Sequence, residues 1–523
     1  MSAVNAVGWR PEMGPAQHPE HESSPHLTAS GDKGLMLEEP LIFELGRPGS
    51  TGVDIDAVDR AVSPALARFR RKAQAALPGL TEPEAVRHYT RLSRQNYAID
   101  LGPFPLGSCT MKHNPRLNEK VARIAGFADL HPLAPQQTAR GAYEVINQLA
   151  EWLITLTGMH GVAMSPKAGA HGELCGVLCI KAALEARGED RKVMLVPESA
   201  HGTNPATAAF AGFSIENIPA TAEGRVDLAA LKARLGPDVA GVMITNPNTC
   251  GLFEREMKAI CDAVHDAGGY VYCDGANFNA IVGKVRPGDL GVDAMHINLH
   301  KTFSTPHGGG GPGSGPVVLS EALSPFGPLP YTARMADGVV HLVEEEDAAT
   351  MGHSQSFGRM AAFNGQMGMF TRALAYILSH GADGLRQVAE DAVLNANYVL
   401  RSLEGVLEAP FGKTGPCMHE ALFSDENFPE GFSTLDVAKG LIDEGFHPMT
   451  VYFPLVVHGA MLIEPTETES KAGLDRFIAS MRSLAARAKN ADPSLKTAPH
   501  FAPRHRLDET QAARKPVLSW QGG

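Results

Sequence analysis

The 523-residue sequence has little of three features that identify large classes of protein. Its seven cysteines are too few and too scattered for the disulfide framework of a secreted protein. No apolar run reaches the roughly 20 residues that a helix needs to span a bilayer. Lysine and arginine number 46 against 58 acidic residues, and the net charge of −12 argues against binding to nucleic acid or anionic membranes. The composition therefore predicts a globular protein of a reducing, cytoplasmic compartment that binds neither.

Two nucleotide-binding signatures and a metal-binding pattern are also missing. No Gly-x-Gly-x-x-Gly directly follows a predicted strand, and no complete Gly-x-x-x-x-Gly-Lys-Ser/Thr of a phosphate loop is present. Cys175 and Cys179 are the closest pair of cysteines, but no second pair of metal-ligand residues lies nearby at a suitable spacing. We expect buried thiols here and no metal site.

The pattern along the chain divides it into three regions. Residues 1–140 form an N-terminal tail and extension with Pro-rich turns and one helical pattern over 56–76. Residues 141–380 alternate between strands and helices, and residues 381–523 show a second, shorter α/β pattern. We therefore expect a large domain, followed by a smaller C-terminal domain.

The middle region has the strand–helix alternation of an α/β domain with a mostly parallel sheet. An amphipathic helix over 143–156, with Trp152 on its apolar face, is predicted to stop at Gly158. Strands are predicted at 192–196, 239–245, 270–273, 294–299 and 316–319. Helices between them are predicted at 172–187, 227–235 and 254–267. In the C-terminal region we expect helices at 385–403 and 474–489 and an apolar element at 450–457.

Residues able to bind ligands or take part in catalysis follow the predicted strands, where open α/β sheets bind their ligands. The segment SPKAGAHGE (165–173) opens a helix, and backbone N–H groups at a helix start attract anions. The other strand ends contribute His201, Asn246, Asp274 and Lys301. From His171 onward these residues are 30, 45, 28 and 27 positions apart, which is about one strand–helix unit each.

This combination fits pyridoxal phosphate. A lysine can hold the cofactor covalently, an aspartate can keep its pyridine nitrogen protonated, and a helix start can bind its phosphate. Each residue alone has a structural explanation, because aspartates after strands often cap helices and lysines there are often solvated. The joint order and spacing favour the cofactor site.

Five segments resemble the glycine decarboxylases, the P-proteins of the glycine cleavage system, which are fold-type I pyridoxal-phosphate enzymes. The segments are LGSCTMK (106–112), HPLAPQ (131–136), HGTNP (201–205), DGANFNA (274–280) and NLHKTFSTPHGGGGPG (298–313). The chain has about half the length of the one-chain P-proteins, so it resembles the lysine-bearing half, subunit 2, of the two-subunit form. His171 is a departure, since the family often has Gln there.

The resemblance implies a role for each candidate residue. Lys301, Asp274 and His201 would be catalytic, with His201 and Ala276 on the two faces of the cofactor ring. Ala170, His171 and His300 would be close to the phosphate, and Thr249 would donate to the ring hydroxyl. His300 could instead carry protons. The segment 108–112 and His131 would reach the substrate.

The implied reaction is the decarboxylation of glycine, with release of CO₂ and transfer of the aminomethyl group to the lipoyl group of H-protein. The implied partners are glycine, lipoylated H-protein and a subunit 1, in a heterotetramer of two dimers. Because the chain is acidic, we expect a local basic patch to assist the carrier's approach, with Lys112, Arg140 and Arg334 as candidates.

Three alternatives stay open. The chain could be a serine hydroxymethyltransferase-like or an aminotransferase-like enzyme of the same fold type. The lack of an evident arginine motif for a substrate carboxylate in the C-terminal region disfavours the aminotransferase. The chain could also be a non-catalytic scaffold subunit, although the presence of both Lys301 and Asp274 argues against that.

Overall fold

The computed structural model describes residues 39–47, 49–52, 63–73, 77–131, 133–307, 313–351, 355–502 and 504–519. The helix predicted over 56–76 lies partly outside this range, and its described part contains a short helix, Pro64–Ala67. The glycines at 308–311 also lie outside it. All seven cysteines lie within it and are free thiols. In this part of the chain, no helix is long and apolar enough to cross a bilayer.

A seven-stranded sheet forms the centre of the molecule. Its strands are β1 (Gly161–Ala163), β2 (Val193–Pro197), β3 (Ser214–Ile218), β4 (Val239–Thr245), β5 (Tyr270–Gly275), β6 (Ala294–Ile297) and β7 (Val317–Leu319). Their order across the sheet is β1-β7-β6-β5-β4-β2-β3. Strands β2 to β6 pair in parallel, and β7 is antiparallel to both β1 and β6. The predicted α/β class with a mostly parallel sheet is confirmed.

Helices pack against the sheet, and further helices precede and follow its strands in the sequence. They are α1 (Ile42–Leu45), α2 (Pro64–Ala67), α3 (Glu82–Arg94), α4 (Arg116–Ala122), α5 (Ala125–Ala128), α6 (Arg140–Thr157), α7 (Gly169–Ala186), α8 (Thr203–Phe210), α9 (Leu228–Arg234), α10 (Met257–Asp266), α11 (Leu299–Thr302), α12 (Glu345–Ala348), α13 (Met367–Ser402), α14 (Thr434–Asp443), α15 (Lys471–Lys489) and α16 (Glu509–Arg514). A two-stranded hairpin, β8 (Tyr331–Arg334) with β9 (Val340–Val343), packs beside α6.

The apolar periodicity predicted helix α6 correctly but misplaced one residue on its buried face. Leu149 and Leu153 are fully buried, and the helix ends at Gly158, whose φ of 68° is left-handed and suits glycine. Trp152, predicted on the buried face, is 38% exposed. The buried stripe is rotated towards Ile146, so the tryptophan lies at its margin.

The C-terminal region has a three-stranded antiparallel sheet in the order β10-β12-β11. Its strands are β10 (Ala421–Phe423), β11 (Thr450–Val451) and β12 (Met461–Ile463). Helix α13 joins the two regions, because Leu385 packs in the core of the large sheet while Val399 packs in the C-terminal core. The predicted boundary at 380/381 therefore falls inside α13, at Gly381, whose backbone is not helical.

Candidate active site

A cavity lies at the carboxyl ends of the central strands, next to the start of α7. It is lined by Ser108, Gly169, Ala170, Glu173, His201, Thr203, Thr245, Thr249, Asp274, Ala276, Asn277, His296, Asn298 and Lys301. Six of the eight residues predicted for the cofactor site line it. The other two, His171 and His300, are not among its lining residues.

Lys301 follows β6 in the short helix α11 and is half-buried. Its Nζ donates a 2.7 Å hydrogen bond to the backbone oxygen of Ser108. Ser108 has a left-handed backbone, with φ of 60°, which few residues other than glycine adopt. The N-terminal extension of this same chain therefore supplies part of the cavity wall.

Asp274 lies in β5, between Thr245 of β4 and His296 of β6 in the register of the sheet. Its Oδ1 accepts a 2.9 Å hydrogen bond from the backbone N–H of Ala276 and lies 3.4 Å from Nε2 of His296. The carboxylate is buried, and its edge reaches the cavity. It can therefore act on a ligand while donors from the protein hold it in place.

Glu173, in the first turns of α7, is a buried carboxyl beside Asp274. The side-chain amide of Asn204, turned to satisfy both neighbours, donates to Asp274 Oδ2 at 3.1 Å and to Glu173 Oε2 at 3.0 Å. Burial and, secondly, the charge of Asp274 raise the pKa of Glu173 to about 8. Glu173 is therefore neutral near pH 7. Sequence reasoning missed its role, because only the fold brings it next to Asp274.

His296 connects Asp274 to a wider polar network. Its Nδ1 bonds the hydroxyl of Tyr272, and its Nε2 lies 2.9 Å from Oδ1 of Asn298. Burial lowers the pKa of His296, so the imidazole beside Asp274 is neutral. The sequence pattern predicted an apolar strand here and did not indicate these polar contacts of His296.

His201 follows β2 and lines the cavity, as predicted. Its ring contacts Phe453 edge-on, with 5.5 Å between ring centres, and the hydroxyl of Thr203 bonds its Nδ1. Burial lowers the pKa of His201. Ala276 lines the same cavity with a side chain small enough to leave room for a flat ligand.

The start of α7, where the sequence predicts an anion seat, borders the cavity. Gly169 and Ala170 line the cavity at the first turn of this helix, where backbone N–H groups have no partner within the helix. A Cβ on Gly315 would collide with the backbone of Ala168, so the glycine lets two chain segments meet beneath the seat. His171 turns aside, and its Nδ1 accepts from the backbone N–H of Lys167 at 3.2 Å.

His300 and His307 form a buried pair with 4.8 Å between ring centres. Burial lowers the pKa of His300 to about 3 and that of His307 to about 4, so both are neutral in the physiological range. His300 contacts Asn298 and the backbone N–H of Ser314. A phosphate role for His300 would require a neutral hydrogen bond, since it carries no charge.

Two threonines approach the cavity from β4 and the loop after it. The hydroxyl of Thr249, the predicted donor to the ring hydroxyl, bonds the backbone oxygen of Ser199. The hydroxyl of Thr245 is buried and has no hydrogen-bond partner among the described residues. Thr245 was not singled out from the sequence, because a threonine at the end of an apolar strand carries no distinctive signal.

One of the three residues expected in the basic patch is buried. Lys112 is buried, and its Nζ lies 2.6 Å from Glu467 Oε1 and 2.9 Å from the backbone oxygen of Thr302. Arg140 is exposed, and Arg334 is exposed but paired with Glu144. Lys112 therefore fixes the N-terminal extension to the body. His131, expected near the substrate, is exposed and does not line the cavity.

Comparison with known proteins gives two matching family models and a set of named relatives. Family models match residues 388–500 as "Glycine dehydrogenase, C-terminal domain" and residues 177–339 as "Aminotransferase class-V". A protein of Caulobacter vibrioides named glycine dehydrogenase (decarboxylating) subunit 2 is 64% identical over 95% of this chain and 94% of its own length. One of Desulforamulus reducens with the same name is 48% identical over 92% and 99%.

This chain belongs to the glycine dehydrogenase (decarboxylating) subunit 2 family. Among solved structures, a glycine decarboxylase (P-protein) of the glycine cleavage system in inhibitor-bound form superposes with a TM-score of 0.66. It is 20% identical and covers 80% of this chain and 93% of its own. The fold is that of the fold-type I pyridoxal-phosphate enzymes.

Proposed function

We propose that the chain decarboxylates glycine with pyridoxal phosphate, releases CO₂ and transfers the aminomethyl group to the lipoyl group of a carrier protein. The observation that carries this proposal is the cavity that joins Lys301, Asp274 and the start of α7. The family membership supports it over the serine hydroxymethyltransferase-like, aminotransferase-like and scaffold alternatives.

The residues around the cavity fit this cofactor. Lys301 would hold it covalently through Nζ, Asp274 would pair with its ring nitrogen, and the backbone of Gly169 and Ala170 would bind its phosphate. His201 and Ala276 would flank the ring. The unpartnered hydroxyl of Thr245 marks a buried polar position that a ligand group would satisfy. When bound, pyridoxal phosphate supplies the electron sink for breaking the bond to the glycine carboxylate.

Asp274 is held ready for this role by its neighbours. The N–H of Ala276 and the amide of Asn204 both donate to its carboxylate and fix its orientation. Glu173, which shares Asn204 with it, stays neutral and adds no second negative charge. A fixed carboxylate in a buried setting can hold a proton on a ring nitrogen more firmly than one in water.

Lys301 would also be placed to carry a proton within the cavity. Its Nζ rests on the Ser108 oxygen, a neutral acceptor that orients the amine without a competing carboxylate bond. When the cofactor does not engage the amine, the Ser108 oxygen would hold it at the cavity wall. The Ser108 turn closes that side of the cavity and helps to exclude water.

The proposed partners follow from the family. We expect a companion subunit 1, in a heterotetramer of two dimers, and a lipoylated carrier that corresponds to H-protein. Two of the three proposed basic-patch residues, Arg140 and Arg334, are exposed and could meet an acidic carrier. The seven free thiols support a cytoplasmic location.

The test is the exchange of label between bicarbonate and the glycine carboxyl group. We expect exchange when this chain is combined with subunit 1 and lipoylated carrier, and transfer of the aminomethyl group when the lipoyl group is oxidised. Amino transfer from glycine to a keto acid, with no exchange in the complete mixture, would contradict the proposal. Full activity of the isolated chain would contradict the need for subunit 1.

A further inference from the structure

A cluster of three buried polar side chains contacts the turn at Ser108–Thr110 and does not line the cavity. It consists of His419, Glu420 and Glu464, which are all fully buried. One ligand atom from each residue lies within 4.8 Å of the others. Neither ring nitrogen of His419 has a hydrogen-bond partner among the described residues. Nothing in the proposed reaction uses these groups, so their burial needs an explanation.

The two carboxyl groups hold the turn from the C-terminal side. The backbone N–H of Ser108 donates to Glu420 Oε2 at 2.8 Å, and that of Thr110 donates to Glu464 Oε2 at 3.1 Å. The Thr110 hydroxyl donates to Glu464 Oε1 at 2.5 Å. Ser108 and Thr110 have left-handed backbones, with φ of 60° and 41°. Non-glycine residues keep such conformations only when their surroundings impose them.

The donors are shared unequally between the two acids. Glu464 accepts from both donors of Thr110 and from Nδ2 of Asn279 at 3.2 Å. Glu420 accepts only through Oε2, and its Oε1 has no partner in the described structure. Two adjacent carboxylates without solvent cannot both be ionised at low free energy. Burial, and then the charge of Glu464, raise the pKa of Glu420 well above its usual value.

His419 does not neutralise the pair. Burial lowers its pKa, and its Nε2 lies 4.0 Å from both Glu420 Oε2 and Glu464 Oε1, beyond hydrogen-bond distance. The oxygens that face it already accept N–H or O–H donors. A proton on Glu420 therefore explains the arrangement better than a bound cation does.

We propose that Glu464, which accepts three donors, and Glu420, protonated, are positioning residues that hold the Ser108–Thr110 turn so that the Ser108 oxygen receives the Lys301 amine. The hydrogen-bond assignment is independent of any cofactor. The consequence for Lys301 rests on the proposed function. The pair joins residues that are 312 and 354 positions apart in the chain, which ties the cavity wall to the C-terminal region.

Hydrogen–deuterium exchange of the full chain tests the assignment in peptides that cover residues 108–112. Glu420→Gln keeps one neutral acceptor, so we expect exchange there within about twofold of wild type. Glu464→Gln places an NH₂ group against the donors of Thr110 and Asn279, so exchange should rise by about tenfold or more. Asp436→Asn, which alters a buried carboxylate bound by Lys496 and Arg506, is the control and should leave this segment unchanged.

A swap variant separates positioning from general destabilisation. Glu464→Gln combined with Asn279→Asp exchanges the amide and the acid, and should recover at least half of the lost protection. Equal effects of Glu420→Gln and Glu464→Gln, or no recovery in the swap, would overturn the assignment. So would protection of the segment by added Zn²⁺ or Mg²⁺, because a cation would then replace the proton.

Reductive trapping of pyridoxal phosphate at Lys301 measures the consequence for the lysine. We expect the trapping rate to fall about tenfold in Glu464→Gln and to stay near wild type in Glu420→Gln. If exchange responds but the trapping rate does not, the link to Lys301 is wrong while the hydrogen-bond assignment stands. If wild type traps no cofactor at Lys301, the proposed function itself fails.

Discussion

The Nζ of Lys301 lies 2.7 Å from the backbone oxygen of Ser108, a residue 193 positions earlier in the chain. A neutral carbonyl orients the amine, so the lysine is not locked in an ion pair. Asp274 lines the same cavity and is held by donors other than the lysine. The predictions below test this division of roles and the polar network that supports it.

Replacing Lys301 by alanine should abolish covalent trapping of pyridoxal phosphate by borohydride. The reason is that Lys301 is the one lysine among the described residues that lines the cavity. Peptide mapping by mass spectrometry is the measurement. Lys284→Ala, which removes an exposed lysine paired with Glu390, is the control and should trap normally. Undiminished trapping at another lysine in Lys301→Ala would refute the assignment.

Asp274→Asn should retain the cofactor but lose most of the exchange between glycine and CO₂, by about a hundredfold or more. Asparagine can still accept the hydrogen bond from Ala276, but it has no charge to hold a proton on the ring nitrogen. Exchange rate and cofactor content are measured on the same sample. Asp289→Asn, at an exposed ion pair with Arg286, should leave both unchanged. Normal turnover in Asp274→Asn would show that the carboxylate is dispensable.

Glu173→Gln should stabilise the protein, and more strongly at pH 8 than at pH 5. The unfolded chain ionises this carboxyl near pH 4.5, whereas the folded protein keeps it protonated up to about pH 8. Between these values the folded state binds the extra proton, so the wild type loses stability as pH rises, at up to about 1.4 kcal/mol per pH unit.

Melting temperatures from pH 5 to 8 measure this effect. Exposed Glu321→Gln is the control and should show no difference in slope from wild type. A constant offset between Glu173→Gln and wild type across this range would mean that Glu173 titrates normally.

Lys112→Met should destabilise the protein by about 3–5 kcal/mol, because it leaves Glu467 buried without its partner. The matched change Lys284→Met, at an exposed pair, should cost about 0–1 kcal/mol. Urea unfolding of both variants gives the comparison. Similar midpoints for the two variants would mean that Lys112 behaves as an exposed lysine, as the basic patch suggested by the sequence requires.

The sequence predicted the central strands best. Strand β4 was predicted with its observed bounds, Val239–Thr245, because an unbroken apolar run is typical of a strand covered on both faces. Strand β3, Ser214–Ile218, was missed because it lies at the sheet edge, where polar residues interrupt the pattern. The apolar run at 450–457 was over-interpreted, since only Thr450–Val451 is a strand and Leu455 is 83% exposed.

The site was predictable where one residue follows one strand. Lys301 and Asp274 follow from that rule, and the cavity brings them together. Glu173 could have been suspected as a carboxyl in an apolar helix, but its neighbour Asp274 is 101 positions away. Glu420 and Glu464 could not be connected to Ser108 and Thr110, because no local pattern reports contacts between such distant segments.

Helix α13 constrains how this chain could be divided in evolution or engineering. Phe370 and Leu385 in its earlier turns pack in one core, and Val399 and Leu400 near its end pack in the other. A break at Gly381 would leave Leu385 and Val388 on the C-terminal polypeptide, separated from the core of the large sheet that covers them. Gene fission or domain insertion at that point would therefore expose apolar surface until the two fragments associated.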